Sequence, residues 1–221
     1  MPRLKSQLSR AVAKTGKPEP RWPAVLAILA LGGLHSVMPQ PLRFGSDWLL
    51  AVVVSVMLVP VIIAHRAGRV KLNRVLSHVV LGICTASMVW SLGLLIVRLP
   101  QHRDTPQALL RAAATLWVAN VLVFASWYWR LDAGGPHARD QRESHTEGAF
   151  LFPQMLPPPD DFPGWRPGFV DYLFLAFNTS TAFSPTDVPV LSRWAKLMMM
   201  VQASISLATV ALIAARAVNI L

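Results

Sequence analysis

Oxygen-bearing side chains crowd one stretch near the C-terminus: Asn178, Thr179, Ser180, Thr181, Ser184 and Thr186, flanked by carboxylates at Asp171 and Asp187. A second row follows on the next apolar segment, where Gln202, Ser206, Thr209 and Arg216 share an arc of about 80° on a helix of 3.6 residues per turn. Hydroxyl, amide and carbonyl oxygens can replace the water around a cation, and acids at the mouth of a path draw cations towards it. The chemistry that suits this set is coordination and passage of an ion or small polar solute. Each member also has a plainer role. The Gln202 row can bond only to neighbouring helices, and Asp171 can serve as an acid at a helix N-terminus. Asp187, after Ser184-Pro-Thr, can cap or turn the chain.

The segment that must position the first row is short. Residues 169–183 are mostly apolar and number 15, about 22 Å as a helix against roughly 30 Å for a bilayer's hydrocarbon core. This predicts a re-entrant helix or, failing that, a short sixth span. Residues 24–38, 48–64, 75–97, 112–129 and 197–215 contain no Asp, Glu, Lys or Arg, and each reads as a transmembrane helix. The expected fold is all-α: a multi-pass transmembrane bundle with five full spans plus the short helix. On the last span, Ser204, Ala208, Ala211 and Ala215 lie opposite the Gln202 row. Small residues there let helices approach closely, which points to a bundle centre or a homo-oligomer.

Composition supports a membrane protein. Of 221 residues, 53% are hydrophobic and 14% charged, with a mean hydropathy of +0.44, whereas soluble domains carry about 25% charged residues. The net charge of +10 is read as basic flanks attracted to anionic lipid headgroups rather than as a nucleic-acid surface. Residues 1–21 hold Arg3, Lys5, Arg10, Lys14, Lys17 and Arg21 against Glu19, and the 66–74 loop holds Arg66, Arg69, Lys71 and Arg74 without an acid. Positive-inside counting therefore places the N-terminus and that loop in the cytoplasm. Trp22, Trp48, Trp127, Trp129, Trp165 and Trp194 fall at span ends or in loops, as an interfacial belt requires, and Trp90 and Trp117 fall inside spans.

The chain divides into a basic cytoplasmic arm (1–21), a four-span region (22–129), a loop (130–168) and the pore-like C-terminal unit (169–221). Seven prolines and Gly134-Gly135 in the loop argue against regular structure and for a solvated connector. Its apolar groups, Phe150-Leu-Phe-Pro and Phe162-Pro-Gly-Trp165, leave room for docking on the membrane surface.

The order of short helix, Thr-rich turn, Asp187, Pro189, Lys196 and long helix resembles the pore helix, filter and inner helix of two-span potassium channels. The likeness covers about 50 residues, and it implies filter threonines at Thr179 and Thr181 with a post-filter acid at Asp187. The glycine-tyrosine-glycine core is replaced by Ala182-Phe-Ser-Pro-Thr, so potassium selectivity does not follow. Tyr128-Trp-Arg-Leu-Asp132, Gly134-Gly-Pro136, Leu151-Phe-Pro-Gln154, Ala182-Phe-Ser-Pro-Thr-Asp187 and Ala214-Ala-Arg-Ala-Val-Asn-Ile-Leu221 are similar to uncharacterised bacterial multi-pass membrane proteins of the DUF1345 type. That resemblance implies a bacterial inner-membrane location and brings no established activity.

Channel pores place the filter loop outside the cell. Counting four spans from a cytoplasmic N-terminus instead puts the 130–168 loop inside and the C-terminus outside. The sequence shows no enzyme signature. Its six histidines lack metal-ligand spacing, and it has no Gly-x-Ser-x-Gly elbow. Cys84 is the single cysteine, which rules out an intrachain disulfide. The expectation is a non-enzyme without catalytic residues, metal or cofactor. It is read as a permeation module for an ion or small solute, with a non-conducting scaffold acting through the 130–168 loop as the alternative.

Overall fold

The computed structural model describes residues 19–98, 104–141, 148–156, 165–181 and 187–218. Seven helices carry the fold: α1 (Trp22–Val37), α2 (Leu49–Arg66), α3 (Val70–Arg98), α4 (Pro106–Leu131), the short α5 (Pro136–Asp140), α6 (Phe169–Thr181) and α7 (Arg193–Val218). There is no strand among the described residues, only a single antiparallel bridge between Phe150 and Val190. The all-helical class is as expected.

Four helices, α2, α3, α4 and α7, are long and apolar enough to cross a membrane, while α1 is a shorter apolar helix. Their starts follow from local chemistry. Thr105 accepts a bond from the Ala108 amide at 3.3 Å, and Pro106 occupies the first turn of α4, where a missing N–H costs nothing. Pro23 does the same for α1.

The bundle turns apolar side chains outward. Val52, Val56, Val59 and Ile63 form an exposed stripe along α2, whereas Asn120, Gln202, Ser206 and Thr209 are buried. A soluble bundle shows the opposite pattern, and only hydrocarbon makes this one favourable. The centre is α4. Of its most apolar membrane-length window, 61% is buried, against 33% for α3 and 22% each for α2 and α7. It packs against α1, α3, α6 and α7.

The helices share two ends. At one lie the start of α1, the α2–α3 turn and the end of α4, with Arg74 donating to the Gly134 carbonyl at 3.4 Å. At the other, His35 at the end of α1 meets Phe44, and Arg98 pairs with Asp104 at 3.3 Å. The first end carries the 66–74 basic loop.

The short helix α6 departs from a simple up-and-down order. It starts at the first end, where Phe169 and Trp129 rings meet edge to face at 5.8 Å. Deeper in, the Ala176 carbonyl and Ser180 pair with Gln202, and Ser180 pairs with Ser206. Partners advance together by four residues on both helices, so α6 and α7 run parallel. The intervening chain must come back to its starting end. It has done so by Pro189 and Leu191, which bond to Leu151 and Ala149 at 2.9 and 2.8 Å. The 13 residues of α6 span about 19 Å.

Close contact between α1 and α2 depends on Gly32, where a Cβ would come within 3.0 Å of the Ala51 Cα. At Gly33 a Cβ meets nothing within 4 Å. Gly32→Leu is expected to force the two helices apart and lower stability by about 1–3 kcal/mol. Gly33→Leu is expected to leave the unfolding midpoint in detergent unchanged, and the pair measured together checks the contact.

Candidate functional site

Two polar nodes lie one above the other along α4 and α6. The deeper one is built on Gln202. Its Nε2 donates to the Ala176 carbonyl at 2.7 Å and to Ser180 Oγ at 2.8 Å, and its Oε1 accepts from the Tyr128 hydroxyl at 2.6 Å. Asn120 Nδ2 donates to the Gln202 carbonyl at 3.2 Å and to Ser180 Oγ at 3.4 Å, and the Ser206 hydroxyl donates to the Ser180 carbonyl. One side chain thus ties α7 to both α6 and α4. An amide without partners in this setting leaves strong donors and an acceptor unsatisfied, so each bond lost costs more here than it would in water.

The expected path residues separate by role. Ser180, Gln202 and Ser206 come together in this node. Thr179, Thr181 and Thr209 turn their hydroxyls onto their own helices, bonding the Leu175, Asn178 and Ile205 carbonyls at 2.8, 3.0 and 2.8 Å. Asn178 is half-buried, and Thr181 is exposed at the end of α6. Asp171 Oδ2 accepts from the Gly168 amide at 2.7 Å, so it closes the first turn of α6, as its plainer role required. Asp187 is exposed beside the bridge to Phe150. Ser184 and Thr186, together with the rest of the filter-like turn, lie outside the described residues.

The second node caps the first bundle end, and the sequence reading missed it. Glu19 Oε1 accepts from Trp129 Nε1 at 2.6 Å and from the Phe169 amide at 2.8 Å; its Oε2 faces Arg139 and Arg21, each at 3.3 Å. Arg139, only 2% exposed, also donates to the carbonyls of Trp129 at 2.7 Å and Asp132 at 3.0 Å, and its guanidinium lies 5.0 Å from the centre of the Tyr172 ring. The Asp132 carboxylate accepts from the Ala149 amide at 2.5 Å and the Tyr172 hydroxyl at 2.6 Å. Arg21 pairs with Asp140; burial lowers its guanidinium from the ordinary value, against the pull of Asp140 and Glu19 beside it. Gly135 makes the turn into α5 with φ of +89°, and a Cβ there would sit 2.7 Å from the Arg130 carbonyl.

The described parts of the 130–168 loop therefore depart from the solvated connector expected. Phe150 and Phe152 are buried and stack edge to face on Tyr172 at 6.2 and 5.3 Å, and Trp194 of α7 packs on Phe150 at 6.1 Å. Regular structure there includes the short helix α5, which Pro136 starts, and a single turn at Pro153–Met155, and aromatic burial with the carboxylates of Glu19 and Asp132 supplies further order. The available signals were Tyr128-Trp-Arg-Leu-Asp132, which mixes charges into a span end, and Glu19, the one acid in a basic arm. Asn120, the one side-chain amide within residues 112–129, was a similar signal for the deeper node.

Comparison with protein-family models, with curated proteins and with solved structures finds no match to the chain. Among the described residues, no group of three or more His, Cys, Asp or Glu side chains is placed to hold a metal ion.

Each node has its own expected failure. Gln202→Leu strands the Tyr128 hydroxyl and is expected to cost about 2–3 kcal/mol, read as a lower unfolding midpoint in detergent. Arg139→Met leaves Glu19 buried with less positive charge and is expected to cost about 3–5 kcal/mol. The Arg139→Met change should also open the 130–168 segment to limited proteolysis, which Gln202→Leu should not do.

Proposed function

We propose that this chain is a non-enzymatic, channel-like permeation module of a bacterial inner membrane, of the DUF1345 type, working as an oligomer. On this reading α1 joins the four longer helices as a fifth crossing. The bundle end with the 66–74 loop faces the cytoplasm, because it collects Arg66, Arg69, Lys71, Arg74, Arg193 and Lys196. The helix α6 then dips into the membrane from that side, and the C-terminus lies on the other.

The observation that carries the proposal is the parallel α6–α7 pair with chain return to one end. A short helix whose successor starts again from the same end has the layout of a re-entrant segment, which is tolerated in a membrane where it faces protein or water. The Gln202 row is committed to holding the pair together. The path therefore runs on the pair's outer side, between copies, past exposed Thr181 and Ser204. Exposed Asp187 stands at its cytoplasmic mouth and draws cations there.

The test is flux through the full-length protein in liposomes under a voltage or a solute gradient. Cation flux is expected. Asp187→Asn should reduce it, and Ser204→Trp should block it while leaving the unfolding midpoint in place. If no flux appears under any gradient, the reading fails.

One observation favours a second reading, a non-conducting scaffold: the Gln202 side-chain amide is engaged by Ala176, Ser180 and Tyr128, which leaves it little to offer a solute. A scaffold acting through the loop should lose a co-purifying partner on deletion of residues 142–147, whereas a permeation module should keep its flux.

A further inference from the structure

Away from both nodes, α1, α2 and α3 enclose an apolar cavity of about 360 Å³, bounded by His35, Phe44, Val53, Ile83, Ser87 and Trp90. Its volume lies in the range of small-molecule sites. We propose that it binds a lipid-soluble alcohol or phenol, an apolar body with one hydroxyl, seated on the His35–Ser87 pair.

The hydrogen-bond polarity of that pair selects the ligand. His35 Nε2 lies 3.1 Å from the Phe44 carbonyl, which can only accept, so Nε2 carries the hydrogen. No carboxylate lines the cavity to accompany an imidazolium, so the ring is neutral and Nδ1 accepts. The Ser87 hydroxyl, 3.3 Å from Nδ1, must then donate to it. Ser87 Oγ keeps its lone pairs, and what it offers a ligand is an acceptor. A ligand with O–H satisfies it, whereas an ether or hydrocarbon of the same shape cannot.

Packing does not account for the pair. A second, smaller cavity of about 30 Å³ also borders His35 and Ser87 and is bounded further by Cys84, Met88 and Thr115. A histidine held for packing would have its surroundings filled. At the rim, Trp90 is 53% exposed and meets Phe44 edge to face at 6.0 Å. Trp90, which falls inside a span, forms with Phe44 an aromatic corner suited to an apolar body entering from the bilayer side. The proposal is independent of conduction, since the lining of the cavity comes from α1, α2, α3 and the Phe44 turn and includes no residue of α6 or α7.

The experiment uses the full chain in vesicles of phosphatidylethanolamine and phosphatidylglycerol. The probes are a long-chain alcohol carrying a diazirine and its methyl ether, with labelled residues mapped by mass spectrometry. Saturable labelling of Ile83, Ala86 and Trp90 by the alcohol is expected, displaced by unlabelled decanol and about fivefold weaker for the ether. Ser87→Ala should reduce the alcohol to the ether's level, and Ala86→Trp, which fills the cavity, should remove labelling by both. Equal labelling by alcohol and ether means that a bilayer chain fills the space, and the proposal is then wrong. Undiminished labelling in folded Ser87→Ala or Ala86→Trp protein overturns it equally.

Discussion

A glutamine in an apolar helix must find its partners inside the protein, because hydrocarbon supplies none. Gln202 meets this demand with two donors to α6 and an acceptor for Tyr128 of α4, and the placement of α7 depends on it. In water each such bond trades against a bond to solvent and nets about 1 kcal/mol. Between apolar helices the alternative is an unsatisfied amide, so the bonds act as much on register as on stability. Repetition of the contact four residues on, Ser206 to the Ser180 carbonyl, fixes the parallel direction of α6 and α7.

That direction has a geometric consequence. Two consecutive helices can run parallel only if the chain between them crosses back, and a 13-residue helix leaves a short distance to recover. The return is anchored by the bridge of Val190 to Phe150, and Phe150 is itself held by Tyr128, Tyr172 and Trp194. The cap formed by Glu19, Asp132 and Arg139 fastens the end of α4 to the start of α6. Both nodes thus converge on one task, the placement of α6 against α4 and α7. The His35 cavity lies outside that system, between helices that contribute little to it.

How much of this was legible depended on range. Spans could be read because charge is excluded locally: the charge-free stretches at 75–97, 112–129 and 197–215 fall within α3, α4 and α7. Asp171 as a helix-start acid was legible for the same reason, since its partner, the Gly168 amide, is three residues away. The clustering of Gln202 and Ser206 on one face followed from helical period alone. Their partners did not, because Asn120 and Tyr128 lie over seventy residues earlier and nothing in local pattern pairs them. Glu19 with Arg139, 120 residues apart, is a similar case. The loop misled because prolines report the loss of backbone regularity and say nothing of whether Phe150 and Phe152 are buried.

The sequence by itself determined the helical class, the apolar segments, the asymmetry of basic residues and the shortness of residues 169–183, all properties of neighbours along the chain. Tertiary structure alone decided that α6 runs parallel to α7, that the polar row faces inward, that the loop closes as a cap and that a cavity opens beside His35. Those outcomes depend on which distant donors meet which acceptors, and in an apolar surrounding the cost of an unmet group weights that pairing heavily, even with Asn120 Oδ1 and Arg139 Nε left without a partner.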